Sequence, residues 1–130
     1  MPGWGTGSFE NDDAQKFLGE LNAKQPDDLK EILVRADQVE YLEAPDGSVV
    51  IAAAEVVATA KGAPPQVVPS QISEWVGKFE GAPSAEMSEL AGRVVNKVRL
   101  NSELKDLWHE ADGLNDWSAV LRDLEERLAG

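Results

Sequence analysis

The chain has 130 residues, a hydrophobic fraction of 42% and a charged fraction of 28%, which is ordinary globular usage and fits one domain without a metal or disulfide staple. Twelve basic residues face twenty-four acidic ones, a formal net charge of −12, so the surface repels nucleic-acid phosphates and anionic lipid and attracts a basic partner. Cysteine is absent, which excludes disulfides, thiolate metal sites and cysteine nucleophiles together.

The opening residues Met1-Pro2-Gly3-Trp4-Gly5 carry neither a basic stretch nor an apolar one, so no signal peptide is expected and the expected compartment is the cytoplasm. Gly3, Gly5 and Gly7 make the first ten residues too flexible for a helix, and they read as an irregular arm. Asn11 offers a side-chain oxygen to cap a first helix, and Asp12 and Asp13 suit the positive end of its dipole. Ala14, Phe17, Leu18 and Leu21 then recur at helical spacing.

Pro26 opens a second helix, followed by Asp27 and Asp28, with Leu29, Ile32, Leu33, Ala36 and Val39 on its apolar face. Pro45-Asp46-Gly47 reads as a turn. The stretch Val49 to Ala60 is apolar nearly all round and rich in alanine, which marks a central helix with neighbours on several sides. It is too short for a bilayer, which needs about twenty residues. Its one charge, Glu55, is expected on a narrow face that reaches water.

Gly62-Ala63-Pro64-Pro65 ends that helix and opens a loop to Pro69. Ile72, Trp75, Val76 and Phe79 mark a short amphipathic helix, broken at Gly81-Ala82-Pro83. Ser84 caps the next, whose stripe is Met87, Leu90, Ala91, Val94, Val95 and Val98. Asn101-Ser102 is a stop and restart before Leu104, Leu107, Trp108 and Ala111. Gly113 ends that helix, and Asn115 is the expected cap of the last, which presents Trp117, Val120, Leu121, Leu124 and Leu128. The expected fold is therefore all-α: one compact domain over residues 1–130, about seven short helices around the Ala/Val-rich one, with the Gly-rich arm of residues 1–10 packed on the core. Short connections suggest that helices adjacent in sequence pack antiparallel.

The opening string Trp4-Gly5-Thr6-Gly7-Ser8-Phe9-Glu10-Asn11-Asp12-Asp13-Ala14 reads W-G-x-G-x-F-x-N-D-x-A. It resembles the N-terminal signature of an uncharacterised bacterial family, the domain of unknown function DUF4259. Tyr41-Leu42-Glu43-Ala44-Pro45, the run from Ala52 to Val57, and the stretches Ser102 to Trp108 and Trp117 to Leu128 are similar to that family too. Pro2 departs from its usual start. The resemblance implies a standalone helical domain and supplies no reaction, substrate or catalytic residue.

Trp4, Gly5, Gly7, Phe9, Asn11, Asp12 and Ala14 are the candidate site residues. Structurally, Trp4 and Phe9 would pin the arm to the core, the glycines would take positive φ or permit close approach, and Asn11 would cap. A phosphate cradle fits poorly, because Glu10, Asp12 and Asp13 would repel an anion and no strand precedes the glycines. A hard cation suits the carboxylates better, yet they lack the alternating spacing of a calcium loop. His109, the only histidine, has no nucleophile context and no second histidine for zinc. No catalytic residue, metal site or cofactor is assigned. The favoured reading is a non-enzymatic protein that binds a macromolecule, a basic protein above all, through an acidic helical surface, in the manner of an immunity protein or antitoxin. The alternatives are a small-molecule or metal-ion binder or enzyme with a site near the arm, and a structural homo-oligomer.

Overall fold

Helices dominate because the apolar spacing of about 3.6 residues recurs throughout the chain. The structure is a computed structural model, which describes residues 5–79 and 81–130. Among the described residues it is an all-α bundle: α1 (Asp12–Glu20), α2 (Pro26–Gln38), α3 (Ala44–Ala60), α4 (Ser70–Trp75), α5 (Ala85–Leu100), α6 (Glu103–Glu110) and α7 (Leu114–Ala129). Short 3₁₀ turns extend α1 at Leu21–Ala23 and α4 at Val76–Lys78.

The capping residues act as their chemistry requires. Asn11 accepts from the Ala14 amide at the start of α1, Ser84 from Met87 at the start of α5, and Ser102 from Lys105 at the start of α6. Pro26 begins α2, where the Gln25 amide donates to the Asp28 carboxylate at 2.8 Å and the Asp28 amide donates to Gln25 O at 2.9 Å.

Helix α3 organises the rest. Its residues from Val50 to Ala58 are all buried, and it touches each of the other helices. Alanines at 52, 53, 54 and 58, all fully buried, let neighbours approach on every side. The buried apolar side chains form one contiguous cluster around it. The principal packing partners are mostly distant in sequence: α5 on α7, α3 on α5, α1 on α3 and α2 on α5. The antiparallel pairing of sequence neighbours is thus a minor part of the packing.

Three local expectations are corrected. Pro45-Asp46-Gly47 is not a turn but the first turn of α3, where proline needs no amide partner. The Glu103 carboxylate caps that end, accepting from the Ala44 amide at 2.6 Å, and Gly47 is buried against Leu104 and Val98. Asn115 is not the cap of α7; the helix starts one residue earlier and Gly113 holds the cap position. Val39 and Ala111, assigned by spacing to apolar stripes, are exposed because each lies just past its helix end.

The junction between α6 and α7 has its own logic. Gly113 donates to Trp108 O at 2.9 Å and Asp112 to His109 O, the paired bonds of a Schellman ending. The left-handed residue is Asp112, φ 60°, rather than the glycine. Gly113 is required for space, because a Cβ there would sit 2.5 and 2.8 Å from the buried Trp108 ring. Replacing Gly113 by alanine would gain about 0.4–1 kcal/mol from a stiffer unfolded chain but cost about 1–3 kcal/mol in overpacking. Gly113→Ala should therefore destabilise on balance, read by urea unfolding, with a change in near-ultraviolet dichroism as Trp108 is displaced.

Candidate functional site

The signature arm lies against the bundle. Gly5 donates to Glu10 O and Glu10 to Gly7 O, each at 3.2 Å, and the Gly7 amide also donates to the Glu10 carboxylate at 3.2 Å. Neither glycine is held by positive φ, and a Cβ on either would meet only the exposed Glu10 side chain, which has room to move aside. Asn11 Oδ1 accepts from the Ala14 amide at 2.8 Å, and Gln15 Nε2 donates to Phe9 O at 2.7 Å. Phe9 is partly buried on the core, Ala14 is fully buried, and Asp12 is exposed. Trp4 lies outside the described residues.

Sequence reasoning missed the centre of the site. Glu55 does not reach water: it is 2% exposed, in the middle of the most apolar helix of the chain. Its carboxylate accepts from both terminal nitrogens of Arg127, at 2.8 and 3.1 Å, and from the Ser8 hydroxyl at 2.6 Å. Arg127 also donates to Asp123 Oδ2 at 2.8 Å and to Ala63 O at 3.2 Å. Burial pulls the guanidinium down, but the hydrogen bonds and charges of Glu55 and Asp123 outweigh it and leave its pKa raised. The arm, α3, the loop after α3 and α7 thus converge on one ion pair. The signal for this was present: a single charge in a helix buried all round demands a buried cation.

An open cleft of about 670 Å³ lies over this cluster, walled by Phe9, Pro65, Val67 and Val120. Nearby, the Ser48 hydroxyl is buried without a hydrogen-bond partner among the described residues. It lines a cavity of about 10 Å³ with Gly5, Gly7, Trp108 and Trp117, the size of about one water molecule.

The other candidates separate. Among the described residues no group of three or more His, Asp and Glu side chains is placed to hold a metal ion. His109 is exposed in the last turn of α6. Trp75 is buried, donating its indole N–H to Lys24 O at 2.8 Å, with the Phe79 ring edge-on at 5.4 Å. Trp108 and Trp117 are buried in the core. The single tyrosine, Tyr41, donates to Asp106 Oδ2 at 2.6 Å, which together with nearby acidic charge pushes its pKa from 10.0 up to about 12.

These features define an all-helical protein whose N-terminal arm and last helix meet on a buried ion pair. A family model described as Domain of unknown function (DUF4259) matches residues 3–120, and the chain belongs to that family. Ser8 and Glu55 fall inside the matched span, and Arg127 follows it. No curated protein and no solved structure matches the chain. No described helix is long and apolar enough to cross a membrane.

Arg127→Met leaves the Glu55 charge buried without its cation and should cost about 3–5 kcal/mol in urea unfolding, whereas Arg127→Met with Glu55→Leu should recover most of that loss. Phenolate absorbance should report Tyr41 titrating near 12, and Asp106→Asn should return it toward 10. A raised folded value means that the contribution of this bond is whole below pH 10 and fades as pH climbs through 12.

Proposed function

We propose that the protein acts without catalysis, in the cytoplasm, by binding a basic macromolecular partner through its acidic helical surface. A concrete form is an inhibitor that covers a basic toxin, as immunity proteins and antitoxins do. The observation that supports this reading is where the two signs of charge are spent. Six of the twelve basic residues hold another element of the fold: Lys61 reaches the last carbonyls of α7, Lys78 the turn after α1, and Lys97 the end of α2. Arg93 binds Asp37, Arg99 binds Glu125 and Arg127 binds Glu55.

Carboxylates, by contrast, crowd the outside: Asp27, Asp28, Glu43, Asp46, Asp112 and Asp116 are all exposed. A surface of this kind steers basic proteins toward it at low salt. The cleft over Glu55 gives weaker support to a small-ligand reading, because the charged groups on its floor already satisfy one another. A structural homo-oligomer would press acid against acid.

Affinity capture from the native cytosol tests the proposal. The expected result is a stoichiometric basic protein retained at low salt and shed as salt rises. Recovery of nothing at either salt would defeat the reading. A thermal shift with a metal or metabolite would favour a ligand site instead, since saturation at about a hundred times the dissociation constant adds about 2.7 kcal/mol.

A further inference from the structure

One corner of the bundle breaks the polar pattern of its surface. Four large hydrophobic residues are exposed among those described, and three of them gather there: Val39 at 43%, Tyr41 at 44% and Leu100 at 55%. Their proximity follows from the bonding around them. Val39 caps the end of α2 and Leu100 is the last residue of α5, and Lys97, one turn before Leu100, donates to Ala36 O at 3.0 Å. Leu42 pairs with Ser102, directly after α5, and the Tyr41 hydroxyl reaches Asp106.

A groove of about 280 Å³ runs on from this patch between α2 and α3, floored by Ile32, Ala36, Val39, Leu42, Val49 and Val50. Two charged residues complete its lining. Asp46 is one; Arg35 is the other, and the Glu31 carboxylate already engages it. Glu40, Glu43 and Asp106 are exposed on the same corner. The surface is therefore apolar in the middle and acidic at the edge.

We infer that this corner is the docking surface of the protein, and that it takes a basic amphipathic helix of a partner, whose aliphatic side chains fill the α2–α3 groove while its Lys and Arg side chains meet Glu40, Glu43 and Asp46. The inference rests on the proposed binding of a basic partner and names where that partner sits. An amphipathic helix supplies anchors three or four residues apart, which suits a groove continuous with an exposed patch. Charge complementarity decides against other occupants. A second copy would bring another net charge of −12 to an interface of like against like. An anionic lipid surface would be repelled.

Nuclear magnetic resonance of the ¹⁵N-labelled chain at low salt, titrated with three synthetic peptides of equal length, tests it. One is an amphipathic leucine–lysine helix, one replaces its leucines by serine, and one replaces its lysines by glutamate. The leucine–lysine peptide should shift the amides of Val39, Leu42, Val49 and Leu100 and bind about tenfold or more tightly than the serine–lysine one, a difference of about 1.4 kcal/mol. The glutamate peptide should not bind. Val39→Ser and Leu100→Ser, at exposed positions that leave the core intact, should each weaken the leucine–lysine peptide and spare the serine–lysine one.

Equal binding of the two lysine peptides, or shifts centred on another face, would overturn the docking surface while leaving an acidic binding surface in place. No binding by either lysine peptide would overturn both. Binding of the glutamate peptide would overturn the assignment to a basic partner, as would self-association that Val39→Ser abolishes.

Discussion

The architecture follows from covering a helix that has no polar side. From Val50 to Ala58 every residue of α3 is buried, so no single neighbour can shield it. Six other helices surround it instead, and their order in the chain matters less than the faces they offer. Small residues make that possible. Four fully buried alanines and Gly47 keep α3 thin enough for neighbours to close around it.

A second layer of organisation comes from long cations that reach across helix ends. The last carbonyls of a helix have no partners within it and carry the negative end of its dipole. Lys97 meets those of α2 and Lys61 those of α7, each from a different helix. One ammonium thereby supplies hydrogen bonds to a helix end and ties two elements together. Arg99, with Asn96, holds Glu125 in the same way along the α5–α7 interface. The basic residues are few and half of them are engaged in assembly, so exposed carboxylates outnumber exposed cations on the outer surface.

Much of this was legible in the sequence, and the failures share a cause. Apolar spacing marked α1, α2, α5 and α7, and capping residues or a first-turn proline marked the starts of α1, α2 and α5, because those signals depend on neighbours three or four positions away. The central place of α3 was readable from its lack of a polar face. Two points depend on distant residues and differ from the local reading. Pro45-Asp46-Gly47 has the composition of a turn and becomes helix because Glu103 supplies the cap. Glu55 was placed at the water because a charge in an apolar helix ordinarily goes there, and Arg127 alone, far along the chain, reverses that. In the arm, the Asn11 cap and the packing of Phe9 were readable, and the Ser8 bond was not, since it is made to that same hidden carboxylate.

The meeting of Glu55 with Arg127 also sets an order of events during synthesis. The two residues are seventy-two positions apart. At about 5–20 residues per second, the ribosome makes the glutamate about 4–14 s before the arginine. Through that interval α1, α2 and α3 can collapse, but they cannot seal over a lone carboxylate without a heavy electrostatic penalty. Burial of Glu55 as a charged group therefore waits for Arg127, and the docking of α7 is what closes the core over that carboxylate.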